Sequence, residues 1–161
     1  MKFLADGMLG RFTRWLRLLG YDVVYEPDTT DETLINTAKE DGRILLTSDL
    51  DLYRRAVGRG VEAYFVDVGE EEAIKLSRFS KRFGASLRVR VESSRCPTCN
   101  SLLKRVEWSA VKDKIPQETL KRYREFWTCT NGKCGKVYWQ GSHWRMIDQT
   151  LKAARSYLEN V

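Results

Sequence analysis

Long apolar runs are missing from this chain of 161 residues, and no window approaches the roughly 18 consecutive apolar positions that a membrane-spanning helix needs. Internal repeats and low-complexity tracts are missing too, which excludes a stacked-repeat architecture. Histidine occurs once, so metal and acid–base chemistry falls to cysteines and carboxylates. Cysteine occurs only four times. The opening residues Met1-Lys2-Phe3-Leu4-Ala5-Asp6 put an acid inside what would be the apolar part of an export signal. A cytoplasmic protein is therefore expected, and in that reducing compartment four cysteines read as metal ligands rather than disulfides.

Apolar residues make up 42% of the chain, enough to bury a core. The net charge of +6 is placed unevenly. Residues 1–92 carry 15 Lys and Arg against 16 Asp and Glu, a net −1, while residues 93–161 carry 13 against 6, a net +7. A near-neutral half joined to a basic, Trp-rich half has the charge layout of a nucleic-acid enzyme: one part holds metal and the other attracts phosphates. A solvated basic face is the plainer alternative.

Strand and helix patterns alternate four times along the first half. Short apolar strands are expected at 2–5, 22–26, 44–47 and 61–68. Amphipathic helices follow them, from Met8 to Leu19, from Asp31, from Leu50 to about Gly58, and over 70–83. This alternation predicts an α/β fold with a parallel sheet covered by helices on both faces. Residues 87–92 alternate strictly and predict an edge or bridging strand. Composition then shifts to cysteine, Trp and Lys/Arg, which places a boundary near Ser93: an α/β domain over 1–92, then a small unit over 93–161. In the second unit strands are expected at 102–108 and 137–140, a short helix at 116–124 and a closing helix over 143–158.

Cys96-Pro97-Thr98-Cys99 and Cys129-Thr130-Asn131-Gly132-Lys133-Cys134 present two short-spaced pairs about thirty residues apart. Each pair lies among turn formers. Four thiolates close a tetrahedron around Zn²⁺ and leave no open position, so the ion's expected role is structural. The second pair is wider than the usual two-residue spacing.

Four acids fall at expected strand ends or helix starts: Asp6, Asp31, Asp49 and Asp51. In open α/β sheets the ligand crevice lies beyond the carboxyl ends of the strands. Asp31 and Asp49 could simply cap helices. If all four converge, their mutual repulsion calls for a divalent cation, and oxygen-only ligands favour Mg²⁺ or Mn²⁺. Two such ions activate water and stabilise the leaving oxygen in phosphodiester hydrolysis.

The stretch Phe3-Leu4-Ala5-Asp6-Gly7-Met8-Leu9-Gly10, the run from Trp15 to Asp22, and the run from Ala38 through Thr47-Ser48-Asp49 to Leu52 resemble PIN-like nucleases of the mutator-seven C-terminal RNase type. So do the Cys96–Cys99 knuckle and the run from Cys134 to His143-Trp144. The resemblance covers nearly the whole chain. It implies a PIN-like α/β/α domain with a C-terminal zinc ribbon, and metal-dependent RNA cleavage at Asp6, Asp31, Asp49 and Asp51. Ser48 departs from the family, which usually carries Arg there.

Arg11, Arg14 and Arg17 recur at i, i+3, i+6 opposite the apolar face of the first helix, which reads first as a solvated face; Arg11 and Arg14, nearer the acids, could hold a substrate phosphate. His143 and Trp144, at the start of the closing helix, are candidates for phosphate contact and base stacking. Two further readings compete with the ribonuclease. One is a non-catalytic RNA-binding adaptor with a vestigial site, acting with translation or RNA-processing machinery. The other is a receiver-like domain phosphorylated on Asp49.

Overall fold

The computed structural model describes residues 1–159. Four strands form one parallel sheet: β1 (Lys2–Asp6), β2 (Asp22–Glu26), β3 (Ile44–Thr47) and β4 (Ala63–Phe65), in the order β2-β1-β3-β4. Four helices connect and cover them: α1 (Gly10–Leu18), α2 (Asp31–Glu40), α3 (Leu50–Gly58) and α4 (Glu72–Phe83). The chain leaves β1 for β2 on one side and returns to β3 on the other. The switch point therefore falls between β1 and β3, where Phe3 pairs with Ile44 and Ala5 with Leu46.

Successive strand residues point to opposite faces, and the core divides accordingly. Phe3, Ala5, Val23 and Leu46 pack on one face with Leu16 of α1 and Leu76 and Phe79 of α4. Leu4 and Leu45 face the other way, toward Leu34 and Ile35 of α2 and Leu52 and Ala56 of α3. Unbroken apolar runs in β1 and β3 make sense only because both faces are covered. Phe79 anchors an aromatic cluster, with ring centroids 5.2 Å from Phe3 and 4.8 Å from Phe83.

The alternation at residues 87–92 is genuine but forms no strand. Leu87 is buried and Val89 half-buried against the first core face, and Arg155 donates to the Leu87 carbonyl at 2.8 Å. Side chains pin this extended segment without a neighbouring ladder, and a 3₁₀ turn at Val91–Ser93 ends it.

A second sheet follows: β5 (Leu103–Val106), β6 (Phe126–Cys129) and β7 (Val137–Tyr138), antiparallel in that order. The central strand β6 was not anticipated, although its Phe126-Trp127-Thr128-Cys129 is aromatic and alternating. Trp127 and Cys129 face the cysteine side, while Phe126 faces Val111 and Ile115. A short helix, α5 (Gln117–Arg122), stands between β5 and β6, and α6 (His143–Glu159) closes the fold. The division expected at residue 93 groups α6 with the ribbon. By packing, its Leu151 and Ala154 instead belong to the core that covers β1. Among the described residues no helix is long and apolar enough to cross a membrane.

Arg17, expected with Arg11 and Arg14 on the solvated face of α1, is instead buried, because the ribbon packs over it, and it ties the two sheets together. It is 5% exposed and donates to the Val23 carbonyl at 2.9 and 2.8 Å and to the Pro97 and Thr98 carbonyls at 3.0 and 3.1 Å. Asn100 adds two bonds, accepting from the Val23 amide at 3.1 Å and donating to Asp22 at 2.7 Å. Gly20, at φ +95°, is required at this seam, because a Cβ there would sit 2.8 Å from the Ser93 carbonyl oxygen.

Candidate functional site

Asp6 ends β1 at the switch point and is 6% exposed. One carboxylate oxygen accepts from the Met8 amide at 2.9 Å and so caps the 3₁₀ turn Gly7–Leu9. The other accepts from the Thr47 hydroxyl, and from the Ser48 amide at 3.3 Å. The Thr47 hydroxyl in turn accepts from the Asp49 amide at 2.9 Å. Asp49 caps α3, its Oδ1 accepting from the Asp51 and Leu52 amides at 2.8 and 3.0 Å. Two hydrogen bonds in series thus link Asp6 to the backbone of Asp49. Parallel pairing of β1 with β3 is what brings these two acids, 43 positions apart in the chain, to one edge.

The other two acids go elsewhere. Thr30, not Asp31, caps α2, with its hydroxyl accepting from the Thr33 amide. Asp31 is the first residue of the helix and pairs with Arg55 of α3 at 2.8 Å. Asp51 is 88% exposed and lies 3.8 Å from Arg54. Four acids converging on one point is therefore not the arrangement found. Among the described residues, the only group of three or more His, Cys, Asp or Glu close enough to share an ion is the cysteines. Locally, Arg55 of α3 holds Asp31 away from Asp6, and Asp51 stands in solvent beside Arg54. One carboxylate on this edge was passed over. Asp67 follows β4, whose neighbour Val66 bonds to the Thr47 carbonyl at 2.8 Å. The signal was an acid directly after Ala63-Tyr64-Phe65-Val66.

The four cysteines do converge, with all four sulfurs within 4.8 Å of one another. Cys96 and Cys134 are 3.8 Å apart and Cys99 and Cys129 3.3 Å. A tetrahedron with metal–sulfur bonds of about 2.3 Å has edges of about 3.8 Å, so the set fits a four-coordinate ion. Turns deliver the ligands. Asn100 takes φ 70° after the first pair, and Asn131 receives the Cys134 and Gly135 amides at 3.0 and 2.9 Å in the second. The wider second spacing is absorbed there. Without an ion the thiols perturb one another. Burial pushes Cys129 up to about 12. Burial also raises Cys99, but hydrogen bonds from Ser101 and neighbouring thiols outweigh it and hold Cys99 at about 6.

A third feature is a groove of about 760 Å³ between α1 and the ribbon. Arg11, Arg14, His143 and Trp144, singled out separately from the sequence, all line it. Arg11 makes a long 3.7 Å contact with Glu72; Arg14 and Arg122 have no hydrogen-bond or ion-pair partner among the described residues. Trp127 also lines the groove, and its buried indole N–H has no acceptor. An unmet buried donor costs about 1–3 kcal/mol. His143 does not join the cysteines.

A parallel sheet with acids at its switch point, fused to a ribbon with a four-thiol centre, defines an α/β domain carrying an appendage whose cysteines could hold a metal ion. Residues 1–151 match the family model described as the Mut7-C RNAse domain, and the chain belongs to that family. The family points to a ribonuclease-type function, which implies RNA as the substrate. No curated protein and no solved structure gives a significant match.

Proposed function

We propose that the chain hydrolyses RNA phosphodiesters with the help of a divalent cation held at Asp6 and Asp49, while a zinc-stapled basic ribbon engages the RNA. The observation that carries this reading is the Asp6–Thr47–Asp49 relay at the switch point. There a buried carboxylate and a helix cap share one hydroxyl at the open end of two central strands. The donor set is oxygen-only and suits Mg²⁺ or Mn²⁺ rather than a softer ion. When bound, such a cation would supply Lewis-acid polarisation and offset the charge developing on the phosphate. The chain's own residues do the rest. Thr47 and the Ser48 amide fix the Asp6 carboxylate against rotation, and the first-turn amides of α3 fix Asp49. Asp31 and Asp51 stand at the rim, and Asp31 reaches the site only by exchanging Arg55.

Zinc at Cys96, Cys99, Cys129 and Cys134 would be structural, since four thiolates leave no open position. Cysteines serving as metal ligands rather than disulfides would suit work in the cytoplasm. The Asp31–Arg55 pair favours a second reading, in which the chain binds RNA as an adaptor for RNA-processing or translation machinery without turnover.

The test is cleavage of fluorescent RNA with and without Mn²⁺, for wild type, Asp6→Asn and Asp49→Asn. We expect Mn²⁺-dependent turnover in wild type and a fall of roughly 100-fold in each variant, because even outer-shell partners of a metal site cost 10–100-fold. Melting curves and zinc content check that the variants fold. Equal activity in all three would remove the assignment, and tight RNA binding without turnover in wild type would favour the adaptor.

A further inference from the structure

The groove between α1 and the ribbon plays no part in the Asp6–Asp49 relay, yet its walls carry three unmet demands. Arg14 and Arg122 are guanidiniums without partners among the described residues, and they call for an anion. Trp15, Tyr123 and Trp144 offer half-buried rings, which call for a flat apolar surface. Trp127, 3% exposed, holds an indole N–H with no acceptor, which calls for a hydrogen-bond acceptor at the edge of whatever enters. At about 760 Å³ the space is in the range of small-molecule sites, roughly 300–1,000 Å³.

A nucleotide meets all three demands at once: a phosphate, a planar ring, and carbonyl or ring-nitrogen acceptors on the ring edge. A peptide of Asp and Glu answers the arginines and brings carbonyl acceptors, but it has no planar ring for the aromatic wall. A lipid headgroup brings neither ring nor edge. We propose that this groove seats an unpaired base of single-stranded RNA, a reading that rests on RNA being the substrate of the carboxylate site. Arg14 and Arg122 hold flanking phosphates, the aromatic wall stacks the base, and Trp127 donates to its edge. A base inside a duplex stays stacked and paired and cannot enter. Position also favours the assignment. The 3₁₀ turn and α1 put Arg14 within roughly 15 Å of Asp6 along the chain axis, so a strand held at the groove passes toward the acids. The occupant is thus the substrate class itself, single-stranded rather than duplex RNA.

The experiment is fluorescence anisotropy on the full metal-loaded chain without added Mn²⁺. Three labelled probes of equal length are compared: oligouridylate, an RNA duplex, and an oligomer with abasic positions. We expect oligouridylate to bind roughly tenfold tighter than either of the others, the scale of one stacked base. Trp127→Phe keeps the ring but loses the N–H. It should weaken oligouridylate roughly fivefold and leave the abasic probe unchanged, as loss of one hydrogen bond implies. Arg14→Gln should weaken both single strands. Trp144→Ala, outside the ribbon core, reads stacking even if Trp127→Phe fails to fold. Equal affinity for all three probes, or displacement by a polyglutamate peptide as effective as unlabelled oligouridylate, would overturn the base seat and leave a general anion surface. Mn²⁺-dependent cleavage measured in parallel separates the two readings. Cleavage without base preference sinks the groove alone, and base preference without cleavage supports the groove while sinking the nuclease.

Discussion

The ribbon gathers its four thiols at one point, whereas the α/β layer spreads its acids and partners them separately. In the α/β layer, Asp31 and Asp51 meet arginines of α3 and Asp6 meets hydrogen-bond donors, so the edge is stable as it stands. In the ribbon, four thiols meet chiefly one another. The cores differ in parallel. Among the described residues the two faces of the large sheet bury fifteen and eight apolar side chains, whereas the ribbon's two clusters hold four and three. Seven side chains do little to offset the ordering of some fifty residues, so an ion held by the four cysteines, as proposed, would supply much of the ribbon's folding free energy. On the proposed reading, a cation on the self-sufficient layer would bind weakly and reversibly, whereas an ion that helps build the ribbon would not.

Metal removal should break this comparison most visibly. Chelation at neutral pH, or Cys129→Ala, should abolish the near-ultraviolet signal of the ribbon tryptophans while most helical signal survives, because a structural site of this type contributes about 10–16 kcal/mol. Simultaneous loss of both signals would mean that the layer leans on the ribbon. Next in size, Phe79→Ala should cost about 3–5 kcal/mol in urea unfolding, since Phe79 is fully buried in the aromatic cluster. Bound zinc should stay stoichiometric in the folded variant. Arg17→Met is smaller and tests the seam. It leaves the Val23, Pro97 and Thr98 carbonyls without a donor, an effect of about 1–3 kcal/mol. We expect it to lower zinc affinity as well as melting temperature, and an unchanged affinity would show that the regions are uncoupled.

The smallest effect is pH-dependent. Burial raises the Asp22 pKa, but hydrogen bonds from Arg43 and Asn100 outweigh it and leave the group below its ordinary 3.8. A group with a depressed folded value contributes stability above its unfolded pKa and loses it as pH falls through the folded value. The seam should therefore loosen only below about pH 4. Asp22→Asn should flatten that part of the melting-temperature profile.

The α/β layer was legible because its signals are local and agree: apolar runs of strand length, helical periodicity, and turn residues between them. The cysteine centre was legible because spacing carries the chemistry. What could not be read is contact between distant segments. Leu87 and Val89 alternate like a strand, but whether a ladder lies beside them depends on folding elsewhere. Arg55 looks like any helix-surface arginine until α2 is placed against α3, and that placement decides whether Asp31 is free for a cation. Arg17 carried no sequence mark of its role, since four carbonyl bonds leave no pattern. The four groove residues were each picked for local reasons, and only the fold puts them in one place.

The most direct measurement is anomalous diffraction at the manganese edge from crystals soaked in Mn²⁺. We expect a manganese peak between the carboxylates of Asp6 and Asp49, with the four-cysteine centre holding zinc and no manganese. A saturating soak with no peak at Asp6, or with manganese only at the cysteines, would contradict a hard-cation site at the β1–β3 switch point.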